Sequence, residues 1–125
     1  MPRTKLVYYL EEDGTVPIME WLDRLPRKAT AKCHAYLSRL EWEGHELRRP
    51  VGDYLCEGIY ELRPSLAGVH YWILYFFHGS EAVVVSHGLT KERVVQEREI
   101  ERAILRMRRF QSSPRNHTFI PAKGE

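Results

Sequence analysis

Hydrophobic positions in the first third of the chain change from the period of a strand to that of a helix. Residues 5–10 (KLVYYL) are rich in β-forming side chains and predict a first strand. After a polar turn, Pro17 suits the first position of a short helix, which Pro26 ends. Apolar residues at helical spacing predict a second helix over residues 27–43, and Gly44 is suited to follow its last turn.

Three apolar segments separated by short turns follow a polar loop at residues 44–55. They are residues 58–63 (GIYELR), 69–77 (VHYWILYFF) and 82–88 (AVVVSHG). The middle segment is almost wholly apolar and aromatic, so we expect a central strand that is buried on both faces. Because the connections are short, consecutive strands are expected to be antiparallel neighbours.

The last periodic segment is amphipathic, and a polar segment follows it. Residues 95–110 place apolar side chains at helical spacing beside a row of arginines, which predicts a final helix. Residues 111–125 have no period and are interpreted as a tail that is either disordered or docked on a partner. We therefore divide the chain into a domain at residues 1–110 and a tail at residues 111–125.

The order of predicted elements is β-α-α-β-β-β-α. This order is typical of an α+β fold in which helices pack against one sheet. We expect a single antiparallel sheet of about four strands, with two N-terminal helices and one C-terminal helix.

Length and composition fit one soluble globular domain of 125 residues, with 43% hydrophobic and 29% charged residues. No apolar run approaches the roughly 20 residues of a membrane span, and no leader pattern begins the chain. A cytoplasmic protein without membrane contact is therefore expected. Cys33 and Cys56 lack the spacing of a zinc site, and no phosphate-binding glycine loop or metalloprotease motif occurs. We therefore expect no metal and no cofactor.

Charge is distributed unevenly along the chain. Residues 1–86 carry ten basic and twelve acidic side chains, whereas residues 87–125 carry nine basic and five acidic ones. A basic C-terminal third suits phosphate groups, and it suits an acidic protein partner equally well. The ordinary interpretation of the arginine row is a solvated helix face supported by ion pairs at i,i+3 spacing, namely Glu99 with Arg102 and Arg98 with Glu101. The row consists of Arg98, Arg102, Arg106 and Arg109.

Basic and aromatic residues gather at the ends of the predicted strands. Because the end of one antiparallel strand lies near the start of the next, we expect these side chains to be close in space. Attack of a ribose 2′-OH on the neighbouring phosphate requires a proton acceptor, a proton donor and cations for the developing charge. Histidine, arginine and lysine fill these roles without a metal, and aromatic rings stack unpaired bases. The candidates are Arg63, His70, Tyr71, Trp72, His87 and Lys91.

Most of these residues also have a purely structural interpretation. Arg63 can pair with Glu61 or Glu57 at the surface, where such a pair contributes at most ~1 kcal/mol. His87 lies in an apolar strand and can be a core histidine whose hydrogen bonds are satisfied. Trp72 can be a core residue or an interface anchor, and the same holds for Tyr71 as part of the sheet core.

The segments GIYELR, VHYWILYFF, VVVSHGLTK and EREIERAILRM, in this order, resemble the HigB-like, phage-type branch of the RelE/ParE toxin superfamily. Members typically contain G-(L/I)-Y-E-L-R, a Y-R-(I/V)-L-Y-F strand, L-L-H-G-F-x-K-K and a final E-I-x-x-A helix. The resemblance covers roughly residues 5 to 110 and implies a RelE-like order of elements. It also implies metal-independent, ribosome-dependent cleavage of mRNA, which inhibits translation. The implied partners are the ribosome, mRNA and an antitoxin of the helix-turn-helix type, through which alone the protein would contact DNA.

The resemblance also suggests roles for individual residues. Arg63 matches the strand-end arginine assigned to the scissile phosphate, His87 matches the histidine of the H-G pair, and Lys91 matches the first lysine of that segment. His70 is a second candidate for proton transfer. Arg48 and Arg49 are candidates from their position in the loop after the second helix, where a basic pair suits ribosomal RNA, although solvated loop charge is their ordinary interpretation. Taken together, the expected catalytic set is Arg63, His70, His87 and Lys91, and the expected substrate-binding set is Arg48, Arg49, Tyr71 and Trp72.

The chain departs from the pattern at three places. Trp72 stands where arginine is usual, Leu89 replaces phenylalanine, and residues 92–96 (ERVVQ) replace a stretch rich in lysine and threonine. These changes remove cations from the expected RNA-facing edge. Two functions therefore remain open. One is an active nuclease toxin, and the other is a weakened or inactive homologue that binds an antitoxin, or a ParE-like inhibitor of a topoisomerase.

Overall fold

A ten-residue strand in the middle of the chain, β5, organises a mixed sheet with helices on both faces. The computed structural model describes residues 4–90 and 94–122. Two short 3₁₀ helices, Gly44–Glu46 and Pro114–His117, accompany the regular elements. Those elements are β1 (Lys5–Tyr9), α1 (Pro17–Asp23), α2 (Arg27–Glu43), β2 (Gly52–Cys56), β3 (Ile59–Leu62), β4 (Ser65–Leu66), β5 (Val69–His78), β6 (Ala82–Thr90), α3 (Glu97–Ser112) and β7 (Thr118–Phe119).

The predicted α+β class and the three helices are confirmed. Helix α1 begins at Pro17 as predicted, and α2 has the predicted bounds. Gly44 follows α2 with a φ of 52°, a conformation that glycine adopts without the strain of a side chain. Every residue from 71 to 76 is buried, so the prediction of a central strand covered on both faces is also confirmed.

The predicted antiparallel sheet of about four strands is wrong in two respects. Within residues 4–90 and 94–122 the sheet has seven strands in the order β2-β3-β5-β6-β1-β7, with β4 paired to β5 alone. Strand β1 runs parallel to β6, with Lys5 opposite Ala82. Hairpin rules fix the directions of β3, β5 and β6, but two helices separate β1 from them, so no local turn decides its direction.

The three missed strands lie in segments that the sequence pattern assigned to loops and to the tail. Strand β2 pairs with β3 inside the predicted loop at residues 44–55, and Gly52 lies opposite Leu62. Strand β7 pairs antiparallel with β1 inside the predicted tail, where Phe119 lies opposite Tyr8. Just before β7, the ring of His117 is buried and stacks on Tyr9 with centroids 4.9 Å apart. These tail residues therefore pack on the sheet.

The two faces of the sheet bury separate hydrophobic clusters. Helices α1 and α2 cover one face, which we call the α1–α2 face, where Tyr8, Ile73 and Val85 are buried. Helix α3 crosses the other face, the α3 face, over Leu74 and Phe76. The alternation of side chains along each strand therefore decides which helix a residue meets.

A β-bulge in β6 changes that alternation. Tyr75 lies opposite Val85 and Leu74 lies opposite His87, so Ser86 is an extra residue between two pairs. Val85 points to the α1–α2 face, and without the bulge His87 would follow it there. The extra residue instead turns His87 to the α3 face and places Gly88 under the ring of Trp21 in α1.

The contact between Gly88 and Trp21 leaves no room for a side chain. A Cβ atom at Gly88 would overlap the six-membered ring of Trp21. We therefore expect Gly88→Ala to lower the free energy of unfolding by about 1–3 kcal/mol through overpacking, measured by urea denaturation. In a Trp21→Leu background the same substitution should cost clearly less, because the two sites are in direct contact. Equal costs in both backgrounds would contradict this explanation.

Candidate functional site

Arg63, His70 and Trp72 form a basic–aromatic cluster on the α3 face. Arg63 follows β3, where its backbone N–H donates to the carbonyl of Val51 at 2.9 Å. Its guanidinium carbon lies 5.2 Å from the centroid of the Trp72 ring, a cation–π distance. The exposed imidazole of His70 stacks on the same ring, with centroids 6.4 Å apart. The predicted proximity of Arg63 and His70 is thus seen as a shared contact with Trp72.

Two carboxylates form ion pairs with the arginines at this edge of the sheet: the buried Glu61 with Arg63, and the partly buried Asp53 with Arg49. Arg63 Nη1 lies 2.8 Å from Glu61 Oε2, and the Glu61 side chain is only 6% exposed. Burial raises the pKa of Glu61, and the hydrogen bond and charge of Arg63 act against that rise. Asp53 lies opposite Glu61 in β2 and pairs with Arg49 at 2.7 Å. The side chain of Arg63 is a third exposed, so this arginine is paired but still accessible.

The arginines of the preceding loop differ in where their side chains go. Arg49 is 69% exposed and reaches the basic–aromatic cluster through its ion pair with Asp53, whose pKa that hydrogen bond lowers. Arg48 instead donates from Nη1 to the carbonyl oxygens of His45 and Leu47, at 2.6 and 3.0 Å. Arg48 therefore closes the end of the first 3₁₀ helix, and of the pair only Arg49 borders the cluster.

Tyr71 lies on the opposite face of the sheet from the cluster. Its ring meets Trp21 edge-on at a centroid distance of 6.2 Å, and it lies opposite Thr90 in β6. The indole Nε1 of Trp21 donates to Thr90 Oγ1 at 2.9 Å. Tyr71 is 5% exposed, so this environment corresponds to its structural interpretation as sheet core. Lys91, the next residue after Thr90, lies outside the described residues.

His87 belongs to a buried chain of hydrogen bonds that links the sheet to α3. Its Nε2 lies 3.0 Å from Glu99 Oε1, and its Nδ1 lies 2.7 Å from Ser86 Oγ. Arg106 Nη1 donates to Ser86 Oγ at 3.4 Å, while its Nη2 pairs with Glu11 at 3.1 Å. The His87 tautomer that is protonated at Nε2 gives both of its ring nitrogens a hydrogen-bond partner. In this tautomer Ser86 donates to Nδ1, and His87 donates from Nε2 to Glu99.

Burial and hydrogen bonding determine the protonation states of His87 and Glu99. Desolvation, together with the charge of Arg106, lowers the pKa of His87 to about 4, so the imidazole is neutral at pH 7. Burial also raises the pKa of Glu99, but the hydrogen bond from His87 and the charge of Arg102 outweigh it and leave the pKa below its usual value. A serine, a histidine and a glutamate in line have the composition of a hydrolase triad. However, Ser86 is 0% exposed, which keeps substrates from its hydroxyl.

The carboxylates Glu61 and Glu99 are site residues that the sequence interpretation did not single out. Strand alternation was sufficient to place Glu61 beside Arg63, although not to show that it is buried. Glu99 was expected to pair with Arg102 on a solvated helix face, and that pair exists at 3.3 Å. Its bond to His87 was not predictable, because it depends on the bulge at Ser86.

No metal or membrane element accompanies the site within residues 4–90 and 94–122. No group of three or more His, Cys, Asp or Glu side chains in these ranges is arranged to hold a metal ion. None of the helices described there is long and apolar enough to cross a membrane.

The structure is thus a mixed sheet with α3 on one face and α1 and α2 on the other, and it carries a basic–aromatic cluster at the end of β3. Residues 20–108 match the family described as Phage derived protein Gp49-like (DUF891). The chain therefore belongs to the Gp49-like family, which lies within the RelE/HigB-like toxin superfamily. This family is associated with the toxins of toxin–antitoxin systems, and it implies an antitoxin partner. No curated protein matches the chain.

The buried His87 predicts a specific dependence of stability on pH. Because folding lowers the pKa of His87 from 6.5 to about 4, the unfolded chain takes up the proton first as the pH falls. Its contribution to stability is therefore complete above pH 6.5 and is lost as the pH falls toward 4. From pH 7 to pH 5, wild type should lose about 2 kcal/mol more free energy of unfolding than His87→Gln in urea denaturation. Parallel pH profiles for the two proteins would show that His87 is not buried in its neutral form.

Proposed function

We propose that this protein is the toxin of a toxin–antitoxin module and a metal-independent, ribosome-dependent mRNA endonuclease of the HigB-like type. It would act in the cytoplasm and inhibit translation by cutting mRNA. The observation that carries the proposal is the guanidinium of Arg63, which lies over Trp72 with a third of its side chain open to solvent. Membership of the Gp49-like family supports the same class of function.

Arg63 fits the role of the cation that binds the scissile phosphate. One of its five N–H donors is occupied by Glu61, which fixes the plane of the guanidinium and leaves other donors for phosphate oxygens. In the transition state of 2′-OH attack, negative charge grows on the phosphorane oxygens. A guanidinium held in place stabilises that charge with little rearrangement. Trp72 is only 7% exposed, so it supports the guanidinium from one side as a buried platform and has no open ring face on which a base could stack.

His70 is the better placed of the two histidines to move a proton. It is exposed and touches Trp72, whereas His87 is buried with both ring nitrogens engaged. We assign to His70 the proton transfer to or from the ribose and to His87 the positioning of Glu99. For Lys91 we propose the role of a second cation, and only the match to the sequence pattern supports it. For Arg49 we propose a contact with the RNA backbone next to the phosphate that Arg63 binds.

The proposed partners follow from this activity. A ribosome would present the mRNA unpaired, as attack by a 2′-OH on its own phosphate requires a flexible strand. A helix-turn-helix antitoxin would restrain the toxin and bring it to DNA only indirectly. No membrane contact is proposed.

Three observations favour the alternative, a weakened toxin homologue that mainly binds its antitoxin, or a ParE-like inhibitor of a topoisomerase. Glu61 already neutralises Arg63 at 2.8 Å. Trp72 stands where related toxins carry a further arginine. His87 has no ring nitrogen available for catalysis. In this alternative the cluster of Arg63, His70 and Trp72 is a recognition surface and no RNA is cut.

The two functions differ in what happens to mRNA in growing cells. After induction of the wild-type protein, we expect primer extension to map cuts within translated codons. Arg63→Ala should reduce these cuts at least a hundredfold, because removing one preorganised donor to a developing oxyanion costs about 10²–10³ in rate. Growth inhibition should fall in parallel.

Arg39→Ala is the matched control. This substitution removes the ion pair between Arg39 and Glu43, which has the same 2.8 Å length as the pair between Arg63 and Glu61. Arg39, however, lies on the exposed surface of α2. This variant should cut and inhibit growth like wild type. Intact message in all three strains would refute the nuclease, and toxicity with blocked DNA replication would indicate the topoisomerase alternative.

A further inference from the structure

Two exposed arginines at the start of α3 share one buried carboxylate. Glu99 Oε1 lies 3.3 Å from Arg102 Nη1, and Glu99 Oε2 lies 3.6 Å from Arg98 Nε. The Arg98 and Arg102 side chains are 70% and 54% exposed, whereas that of Glu99 is 9% exposed. This differs from an ordinary solvated helix face, on which each arginine pairs with a mobile surface acid.

The shared carboxylate is anchored to the sheet rather than to the helix surface. His87 on β6 donates to Glu99 from below, and the chain of Ser86 and Arg106 fixes His87 in turn. Because Glu99 is held in this way, the two guanidiniums are drawn toward one point on the surface. Less side-chain entropy is then lost when they bind a ligand.

The charges and donors of this group favour an anion. Two guanidiniums face one carboxylate, which leaves a net positive charge. Arg102 donates one N–H to Glu99 at 3.3 Å, whereas Arg98 makes an ion pair with it at 3.6 Å, beyond hydrogen-bond distance. Both side chains are more than half exposed, so their remaining N–H donors are accessible to a ligand. Arg98 lies in the first turn of the sixteen-residue helix α3, where the helix dipole adds positive potential, and Arg102 lies one turn further along.

The charged group at the start of α3, which consists of Arg98, Glu99 and Arg102, lies on the same face of the sheet as the cluster of Arg63, His70 and Trp72. Glu61, Leu74 and His87 are directly opposite one another on β3, β5 and β6. Glu61 holds Arg63 at one end of this row, and His87 holds Glu99 at the other. Strands lie about 4.8 Å apart, so the two ends of the row are about 10 Å apart. One RNA strand can span such a distance.

We propose that Arg98 and Arg102 form a phosphate-binding subsite for the RNA backbone next to the scissile position, with Glu99 and His87 as positioning residues. This inference rests on the proposed function, because the subsite takes its ligand from the same RNA strand. An acidic protein segment offers carboxylates to the same arginines. RNA is favoured because the Arg63 cluster shares this face.

The test measures binding and not cleavage. A fluorescent single-stranded RNA that is 2′-O-methylated cannot be cut by 2′-OH attack, and its affinity is measured by anisotropy over a series of salt concentrations. The double variant Arg98→Ala/Arg102→Ala should bind roughly tenfold more weakly, since two charge-assisted hydrogen-bonding groups are lost. The slope of log K against log salt should become shallower by roughly 0.7, the value for one phosphate of a single strand.

The matched control removes two arginines from a different helix. Arg27→Ala/Arg39→Ala causes the same change in net charge on α2, on the opposite face of the sheet. It should leave the slope unchanged. Equal slopes for wild type and the α3 double variant would overturn the subsite, as would equal losses in the two double variants.

Positioning by Glu99 is tested with two charge-equivalent variants. Glu99→Gln and Glu101→Gln each remove one negative charge from α3, but Glu101 is exposed and only Glu99 bonds to His87. If Glu99 positions the arginines, Glu101→Gln should tighten RNA binding and Glu99→Gln should not. Equal tightening in both would show that only net charge matters.

Failure of this inference is distinguishable from failure of the proposed function. Wild type that cuts mRNA in cells, with an RNA affinity independent of Arg98 and Arg102, would refute the subsite and leave the nuclease intact. RNA binding that depends on both arginines, without any cutting, would support the subsite and refute the nuclease. Loss of antitoxin binding with unchanged RNA binding would overturn the subsite in favour of a protein partner.

Discussion

One extra residue in β6 determines how the two faces of this protein are built. The bulge at Ser86 reverses the alternation of side chains halfway along the strand, so Val85 packs under α1 and α2 while His87 meets α3. The same residue supplies the hydroxyl that hydrogen-bonds His87 Nδ1. Bulges of this kind aim side chains at defined places near functional sites. Here the bulge joins α3 to the sheet through a buried polar contact and brings Gly88 under Trp21.

The buried contact between His87 and Glu99 in turn organises charges on the surface. Glu99 is held from below and holds Arg98 and Arg102 above, while Glu61 does the same for Arg63 at the other end of the row. In both places a nearly buried carboxylate fixes an accessible guanidinium. This arrangement suits the binding of phosphates in a defined geometry, and in the proposed function it makes the buried histidine a positioning residue without contact with the substrate.

Local patterns were sufficient to predict α2, the buried central strand and the cationic end of β3. Each of these depends on periodicity or on a hairpin, which neighbouring residues determine. Strand β1 lies parallel to β6 because of contacts between residues distant in sequence, and no short-range rule determines them. Tyr71 was grouped with Arg63 by its position in the chain, but strand alternation puts it on the other face with Trp21. The contact of His87 with Glu99 could not be predicted, because it depends on the bulge at Ser86 and a run of apolar residues gives no sign of a bulge.

The central claim is that the α3 face cleaves RNA by attack of a 2′-OH on phosphorus, with the guanidinium of Arg63 rather than a metal ion stabilising the negative charge on the phosphorane. The most direct measurement is the chemistry of the ends produced when purified protein acts on ribosomes that carry a defined mRNA. The claim predicts a 5′-OH on one fragment and a 2′,3′-cyclic phosphate on the other, and it predicts no cutting when the nucleotide before the cut is 2′-deoxy. Fragments with 5′-phosphate ends, or cleavage that persists at the deoxynucleotide, would contradict it.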